Sequence, residues 1–326
     1  MEVETPTLFP AAGGATARPF TSHMDAYGLD MFLRIAPELF LKKLIIAGFE
    51  RVFEIGKVFR NEGVSAVHHP EFTTVESYAA YEDVEDVKRM TQRLLCSVAE
   101  AATGSSKVSV SHAFMTDSAR SAAGLQPGEA VEVDFSAPFA SVSVPDVLAQ
   151  HLGRRLPDSR DPAAAQELKA LCQSHGVPAE APFTTARLLD AMISHWIEPT
   201  CMQPTFVTDH PIALSPLARA VPGGADATQR FELFVGGREL ANAYSELNDP
   251  AEQSARFAEQ SATRGQDAEA HDKDEDFVAA LKCGLPPTGG FGLGVDRLVM
   301  LLTGTDHLRD VLAFPITRPL PPPTEA

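Results

Sequence analysis

Apolar and polar positions alternate from Arg51 to Arg60 and again from Glu71 to Tyr81. Side chains on a strand point to opposite faces in turn, so each run predicts a β-strand. The intervening loop, Asn61 to Pro70, holds the turn formers Gly63, Ser65 and Pro70, which predicts an antiparallel pair. On the second strand Phe72, Thr74, Glu76 and Tyr78 then share one face. A carboxylate at the centre of such a face calls for a cation. Arg60 closes the first strand. On these residues alone, a solvated hairpin with one ordinary ion pair explains the pattern as well as a functional floor does. That floor would stack a ring on Phe72, offer Glu76 to a cation, and hold an anion below Arg60.

Helical periodicity is clearest from Asp83 to Gly104. Asp83 is placed as a cap, Val84, Val87, Met90, Leu94 and Val98 recur on one face, and Gly104 stops the helix. Earlier, a strand ends near Ile35, Pro37 suits the first turn of a helix, and Glu38 meets its N-terminal dipole. Residues 105–200 are less regular, with helices expected over Pro145–Leu152, Pro162–His175 and Thr184–Trp196. Gln203 to Pro216 suits a core strand and a loop. Pro250–Gly265 and Asp274–Cys283 read as amphipathic helices, and Met1–Pro10 as a short strand and turn.

Two further stretches carry candidate chemistry. Gly236-Gly237 between apolar runs predicts a two-residue hairpin that pairs Val235 with Arg238 and Phe234 with Glu239. Glu232 and Glu239 then fall diagonally on one face, roughly 7–8 Å apart. Two such carboxylates repel unless a cation lies between them, and Mg²⁺ held by one or two carboxylates plus substrate phosphates is a common solution. A plain acidic hairpin is the alternative. Beyond them Asn242, Tyr244 and Glu246 alternate onto one face. Gly289 to Arg297 predicts a Gly-rich strand feeding a helix N-terminus, which favours anions. No Gly-Lys-Ser/Thr follows, and no Rossmann unit surrounds the run.

The chain has 326 residues, 44% hydrophobic and 22% charged, enough for one large domain or two small ones. It contains no run of 18 apolar residues, so no membrane span is expected. Met1 is followed at once by Glu2 and Glu4, so no leader peptide is expected. Cys96, Cys172, Cys201 and Cys283 are far apart, and read as buried thiols in a reducing compartment; a cytoplasmic setting is expected, with an organellar one as the alternative. The net charge of −17 disfavours nucleic-acid binding by the whole surface, though not by a local basic patch. Thr317 to Ala326 is Pro-rich and expected to be disordered.

Phe-Arg-x-Glu, a loop and His-x-Pro-Glu-Phe, at Phe59 to Phe72, resemble motif 2 of class II aminoacyl-tRNA synthetases. The wording is similar to lysyl-tRNA synthetases in particular. RELANAYSELNDP and GLGVDR, the latter matching motif 3, follow in the family's order, and the resemblance covers nearly the whole chain. It implies an α+β fold, an antiparallel sheet flanked by helices, as one catalytic domain over residues 1–316. A weakly matching helical insertion would lie at about 105–200, and a tail at 317–326. It implies ATP and Mg²⁺, L-lysine, the acceptor end of tRNA(Lys), and a homodimer if the motif 1 helix is supplied. Arg60 would hold the α-phosphate and the lysine carboxylate, and Arg297 the γ-phosphate, as the catalytic pair. Glu62 would accept from the adenine amino group, His68 would touch the outer phosphates, Phe72 would stack on adenine, and Glu232 and Glu239 would bind Mg²⁺. Gly14 and Ala15 would close over lysine, Glu38 would meet its α-amino group, and Glu76, Tyr78, Asn242 and Glu246 would complete the pocket. With no Lys or Arg expected beside Glu246, Tyr78 and Glu76, this pocket should demand a cationic side chain.

The sequence also departs from the family. The motif 1 helix and the anticodon-binding OB-fold before it are not in the chain, which reads as a catalytic core. His69 replaces the usual Asn beside the triphosphate site, and Ala220 to Gly224 replace a basic stretch. Two other readings therefore stand beside a lysine-tRNA ligase. One is a free-standing paralogue that lysylates a protein such as elongation factor P, although that group does not carry the APEL and PPTGGFGLG wording. The other is a degenerate, non-catalytic subunit, against which the intact Arg60, Glu232, Glu239 and Arg297 argue.

Overall fold

In the computed structural model the described residues are 1–317, apart from Ala12, Thr16, Ala137, Gly224 and 264–273. The chain opens with β1 (Leu8–Phe9), β2 (Thr21–Met24) and β3 (Leu29–Leu33), which form a small antiparallel sheet in the order β1-β3-β2. The expected N-terminal strand is thus only two residues long, and Glu2 adds an isolated bridge to Phe53. Next come α1 (Glu38–Ile46), β4 (Arg51–Phe59), β5 (Glu71–Ala80) and α2 (Val84–Thr103). Asp83 caps α2 in a reciprocal capping box with Asp86, and Gly104 ends it in the left-handed region at φ 78°, where no Cβ penalty arises.

The less regular third of the sequence holds β6 (Lys107–Val110), α3 (Asp117–Ala122), β7 (Val131–Asp134), β8 (Ala140–Ser143), α4 (Val144–Leu152), α5 (Ala164–His175) and α6 (Thr185–Trp196). The three expected helices are α4 to α6. Leu148, Leu168, Leu188 and Met192 bury their apolar faces in a core of their own. The three short strands were not legible, since four residues give too few alternations for a period. Then follow β9 (Thr205–Thr208), β10 (Arg230–Val235), β11 (Arg238–Ser245), α7 (Pro250–Thr263), α8 (Glu275–Leu281), β12 (Thr288–Gly294) and α9 (Val295–Thr303).

Seven strands build the main sheet in the order β4-β5-β12-β11-β10-β9-β8, antiparallel throughout except for the parallel pair β8 and β9. One face carries Phe231, Leu233, Ala241, Ala243, Phe291 and Leu293 into the largest core, against α2 and α9. Its other face is left open beneath α1 and becomes the floor of a cavity. Among the described residues no helix is long and apolar enough to cross a membrane. The cysteines differ from expectation. Cys172 and Cys201 are buried, but Cys96 is half-buried and Cys283 exposed. Arg318 to Ala326, most of the expected tail, and the last residues of the expected 250–265 helix lie outside the described residues.

Candidate active site

Pairing across the sheet sets the floor in rows. Glu76 on β5 faces Gly292 on β12, Gly292 faces Asn242 on β11, and Asn242 faces Glu232 on β10. The next row runs Tyr78, Gly290, Tyr244, Arg230. The central strand is glycine on this face, so side chains from both sides can lean over it. A Cβ at Gly290 would lie 1.9 Å from Glu246 Oε1 and 2.8 Å from the Tyr78 ring. The Gly236-Gly237 turn forms as expected, with φ of 60° and 72°. A bulge after Leu233 shifts the register by one residue, so Glu239 and Asn242 come to one side although their separation is odd.

The resulting cavity, about 830 Å³, collects most of the candidates. Gly14, Ala15, Glu38, Arg60, Glu62, His68, Phe72, Glu76, Tyr78, Glu232, Glu239, Asn242 and Arg297 all line it. Glu246 does not. It is almost fully buried, with its Oε1 over Gly290, which does line the cavity.

At one end lie buried carboxylates. Lys42, fully buried on α1, donates to Glu38 Oε1 at 2.6 Å and to Glu246 Oε2 at 2.7 Å. Tyr244 donates its hydroxyl to Glu38, and Tyr78 donates to Glu76 Oε2 at 3.1 Å. Lys42 overturns the expectation of a pocket without its own cation. One ammonium nevertheless serves only Glu38 and Glu246 of the three buried carboxylates, and among the described residues Glu246 Oε1 has no hydrogen-bond partner. Burial pushes the Glu246 carboxyl up to about 8 against the pull of Lys42. Burial, reinforced by Glu38, pushes Glu76 to about 8. Burial alone would lower Lys42, but Glu246 and Glu38 outweigh it and hold the ammonium charged.

At the other end lie cations. The Arg60 guanidinium sits 5.2 Å over the Phe72 ring. Arg297 donates to the Glu239 carbonyl at 2.9 Å and to His68 Nε2 at 3.1 Å. Nδ1 of His68 then donates to Ser65 Oγ at 2.8 Å. Burial, then Arg297, Arg238 and Arg60, lower the His68 pKa, so this ring is neutral. Asp296 fastens the start of α9 to β5 by accepting from the Thr73 amide at 2.7 Å. Arginines gathered in this way suit an anion of high charge.

Between the two ends, Glu232 and Glu239 face the cavity and differ in their electrostatics. Burial opposes ionisation of Glu232, but Arg230 and His210 outweigh it and hold its carboxyl well below the usual range. Burial and then Glu232 push Glu239 up. Two oxygen donors of this kind fit a hard divalent cation that takes its remaining ligands from a phosphate-bearing substrate. Among the described residues no cluster of three or more His, Cys, Asp or Glu forms a cage without such a substrate.

A model of tRNA synthetases class II (D, K and N) matches residues 1–318. The chain belongs to this family. It is 44% identical to a protein named as a probable cytoplasmic lysine–tRNA ligase from Encephalitozoon cuniculi, over 98% of this chain and 61% of that protein. It is 45% identical to a lysine–tRNA ligase from Gloeobacter violaceus and 44% identical to one from Enterococcus faecalis, each over 98% of this chain and 60% of the relative. The chain thus spans about three-fifths of the length of the curated relatives it matches.

Sequence reasoning missed three residues in or beside this cavity. Arg230 holds Asn242 Oδ1 at 2.9 Å and Glu232 Oε1 at 2.5 Å, so it orients two cavity side chains. Its place two residues before Glu232 on one strand face was a usable signal. Lys42 lies one helical turn after Glu38, with Leu39 and Ile45 on the same buried side, so a lysine on an apolar helix face was the clue. His210, buried 3.3 Å from Glu232, offered no sequence signal. The unusual His69 lines the cavity with both ring nitrogens already engaged. Its Nδ1 donates to the Glu71 carbonyl at 2.6 Å, and its Nε2 accepts from the Ile316 amide at 2.9 Å. Both ring nitrogens are therefore used within the protein.

Proposed function

We propose that the chain is the catalytic part of a lysine–tRNA ligase, which activates L-lysine with ATP and passes it to the 3′ end of tRNA(Lys). The observation that carries this reading is one continuous cavity with a buried acidic end holding a free carboxylate oxygen and a cationic end on Arg60 and Arg297. The lysine–tRNA ligase names of the relatives support the same substrate. They favour it over aspartate or asparagine, and over a non-catalytic role.

In this reading Arg60 holds the lysine carboxylate against the α-phosphate of ATP. Glu38 takes the α-amino group, while Glu76, Tyr78, Asn242 and Glu246 address the side chain, with Gly14 and Ala15 above it. Phe72 and Glu62 bind adenine, and His68 and Arg297 the outer phosphates. The lysine carboxylate oxygen attacks the α-phosphorus, the bond to the bridging oxygen breaks, and pyrophosphate leaves with the electron pair. No residue is acylated, so the protein contributes position and charge neutralisation. Mg²⁺ on Glu232 and Glu239 would neutralise the triphosphate when bound. A homodimer and a cytoplasmic setting belong to the proposal for the whole protein.

Lysine-dependent ATP–pyrophosphate exchange tests it. Exchange should require lysine and be absent with aspartate and asparagine. Exchange driven by either of those, or none with lysine, overturns the assignment.

A further inference from the structure

We propose that Lys42 is a positioning residue that sets the charge preference of the amino-acid pocket, by leaving Glu246 Oε1 as a free acceptor over Gly290. The inference rests on the lysine-activating reading above and deepens it. Lys42 is fully buried and reaches Glu38 Oε1 at 2.6 Å and Glu246 Oε2 at 2.7 Å. The face of Phe277 lies 5.1 Å from the ammonium. One ammonium thus ties the residue expected at the α-amino group to the residue expected at the side-chain end.

An ion pair built only for structure would satisfy all its buried oxygens, because an unsatisfied one is costly. Here Lys42 takes one oxygen of Glu246 and leaves the other without a partner among the described residues. That oxygen lies where the side chain of residue 290 would be, and the residue there is glycine. Gly290 itself lines the cavity, so the free oxygen stands at its floor. Around it are Lys42 and Glu38 from α1, Glu76 and Tyr78 from β5, and Tyr244 from β11. Lys42 pulls the Glu246 carboxyl down against burial, Glu38 and Glu76, so without it a proton on Glu246 would be held more tightly still and be harder for an ammonium guest to displace. A neutral carboxyl has far less to gain from an ammonium than a carboxylate has.

The test uses Lys42→Met, which keeps the length of the side chain and removes its charge. Lys42→Gln replaces it if thermal melting shows that the first variant does not fold. Lysine and ATP dependence of the exchange reaction is measured across pH, in the wild-type and Glu246→Gln backgrounds. The lysine KM should rise about tenfold or more at neutral pH, while the ATP KM changes by less than about threefold. The midpoint of the lysine KM–pH profile should move upward. In the Glu246→Gln background the Lys42 substitution should add less than about threefold, since the two residues act as one unit. A parallel rise in both KM values, an unmoved pH profile, or a full additional loss in the Glu246→Gln background overturns the role assigned to Lys42. Absence of lysine-dependent exchange in the wild type would instead overturn the functional reading, and this inference with it.

Discussion

Gly290→Ala is the smallest change that probes the floor of the pocket. The added carbon would lie 1.9 Å from Glu246 Oε1 and 2.8 Å from the Tyr78 ring. A relaxed carbon–oxygen contact is roughly 3.3 Å, so the carboxylate must retreat by ~1.4 Å. It cannot do so freely, because its other oxygen is held at 2.7 Å by the fully buried Lys42. If the strand yields instead, overpacking costs about 1–3 kcal/mol; if the ion pair opens, the cost is about 3–5 kcal/mol. Gly292→Ala is the matched control. It lies two residues along the same strand face, and its new carbon would come no closer than 3.6 Å to Glu76, an ordinary contact. Urea unfolding should show Gly290→Ala destabilised within that range and Gly292→Ala changed by no more than about 1 kcal/mol. Lysine titration should show Gly290→Ala weakened by about tenfold or more, since Glu246 Oε1 is displaced. Equal stability of Gly290→Ala and wild type would refute the close approach. Equal damage from the two substitutions would refute its specificity.

The other predictions concern the metal, the base and the proton. Glu239→Gln should leave the fold intact and reduce exchange at limiting Mg²⁺ by at least the roughly 10–100-fold that loss of a metal's outer partner causes; an unchanged rate would make the carboxylate mere surface charge. Phe72→Ala should weaken ATP binding by about 1–3 kcal/mol, measured by calorimetry, and an unaltered affinity would remove Phe72 from the base site. Glu76 and Glu246 are both pushed up to about 8, so below that pH they carry protons in the free enzyme. An ammonium guest favours their ionised forms, so lysine binding should release protons and tighten as pH rises towards about 8, by up to about tenfold per unit for each proton. Calorimetry in two buffers of different ionisation enthalpy reads this directly, and an affinity that is flat or falls between about pH 6 and 8 contradicts it.

Features that depend on near neighbours were legible in the chain itself. The two-residue alternation placed Phe72, Thr74, Glu76 and Tyr78 on one face, and all four line the cavity. Gly236-Gly237 supplied the positive φ angles that a tight hairpin needs, so the pairs Val235–Arg238 and Phe234–Glu239 followed. Asp83 and Gly104 bounded α2 through local hydrogen bonds and backbone freedom. Motif wording added candidate side chains far apart in the chain, and all of them but Glu246 line the same cavity. Tertiary structure decided how they meet. A bulge, which alternation cannot reveal, turned Glu239 and Asn242 to one side. The cross-strand rows set Gly290 between Tyr78 and Tyr244 and opened the floor above it. Lys42 and Glu246, 204 residues apart, were joined only when α1 closed over the sheet. Charge complementarity of that kind is a property of three-dimensional distance and burial, since neither carboxylate nor ammonium has any local periodicity that announces its partner.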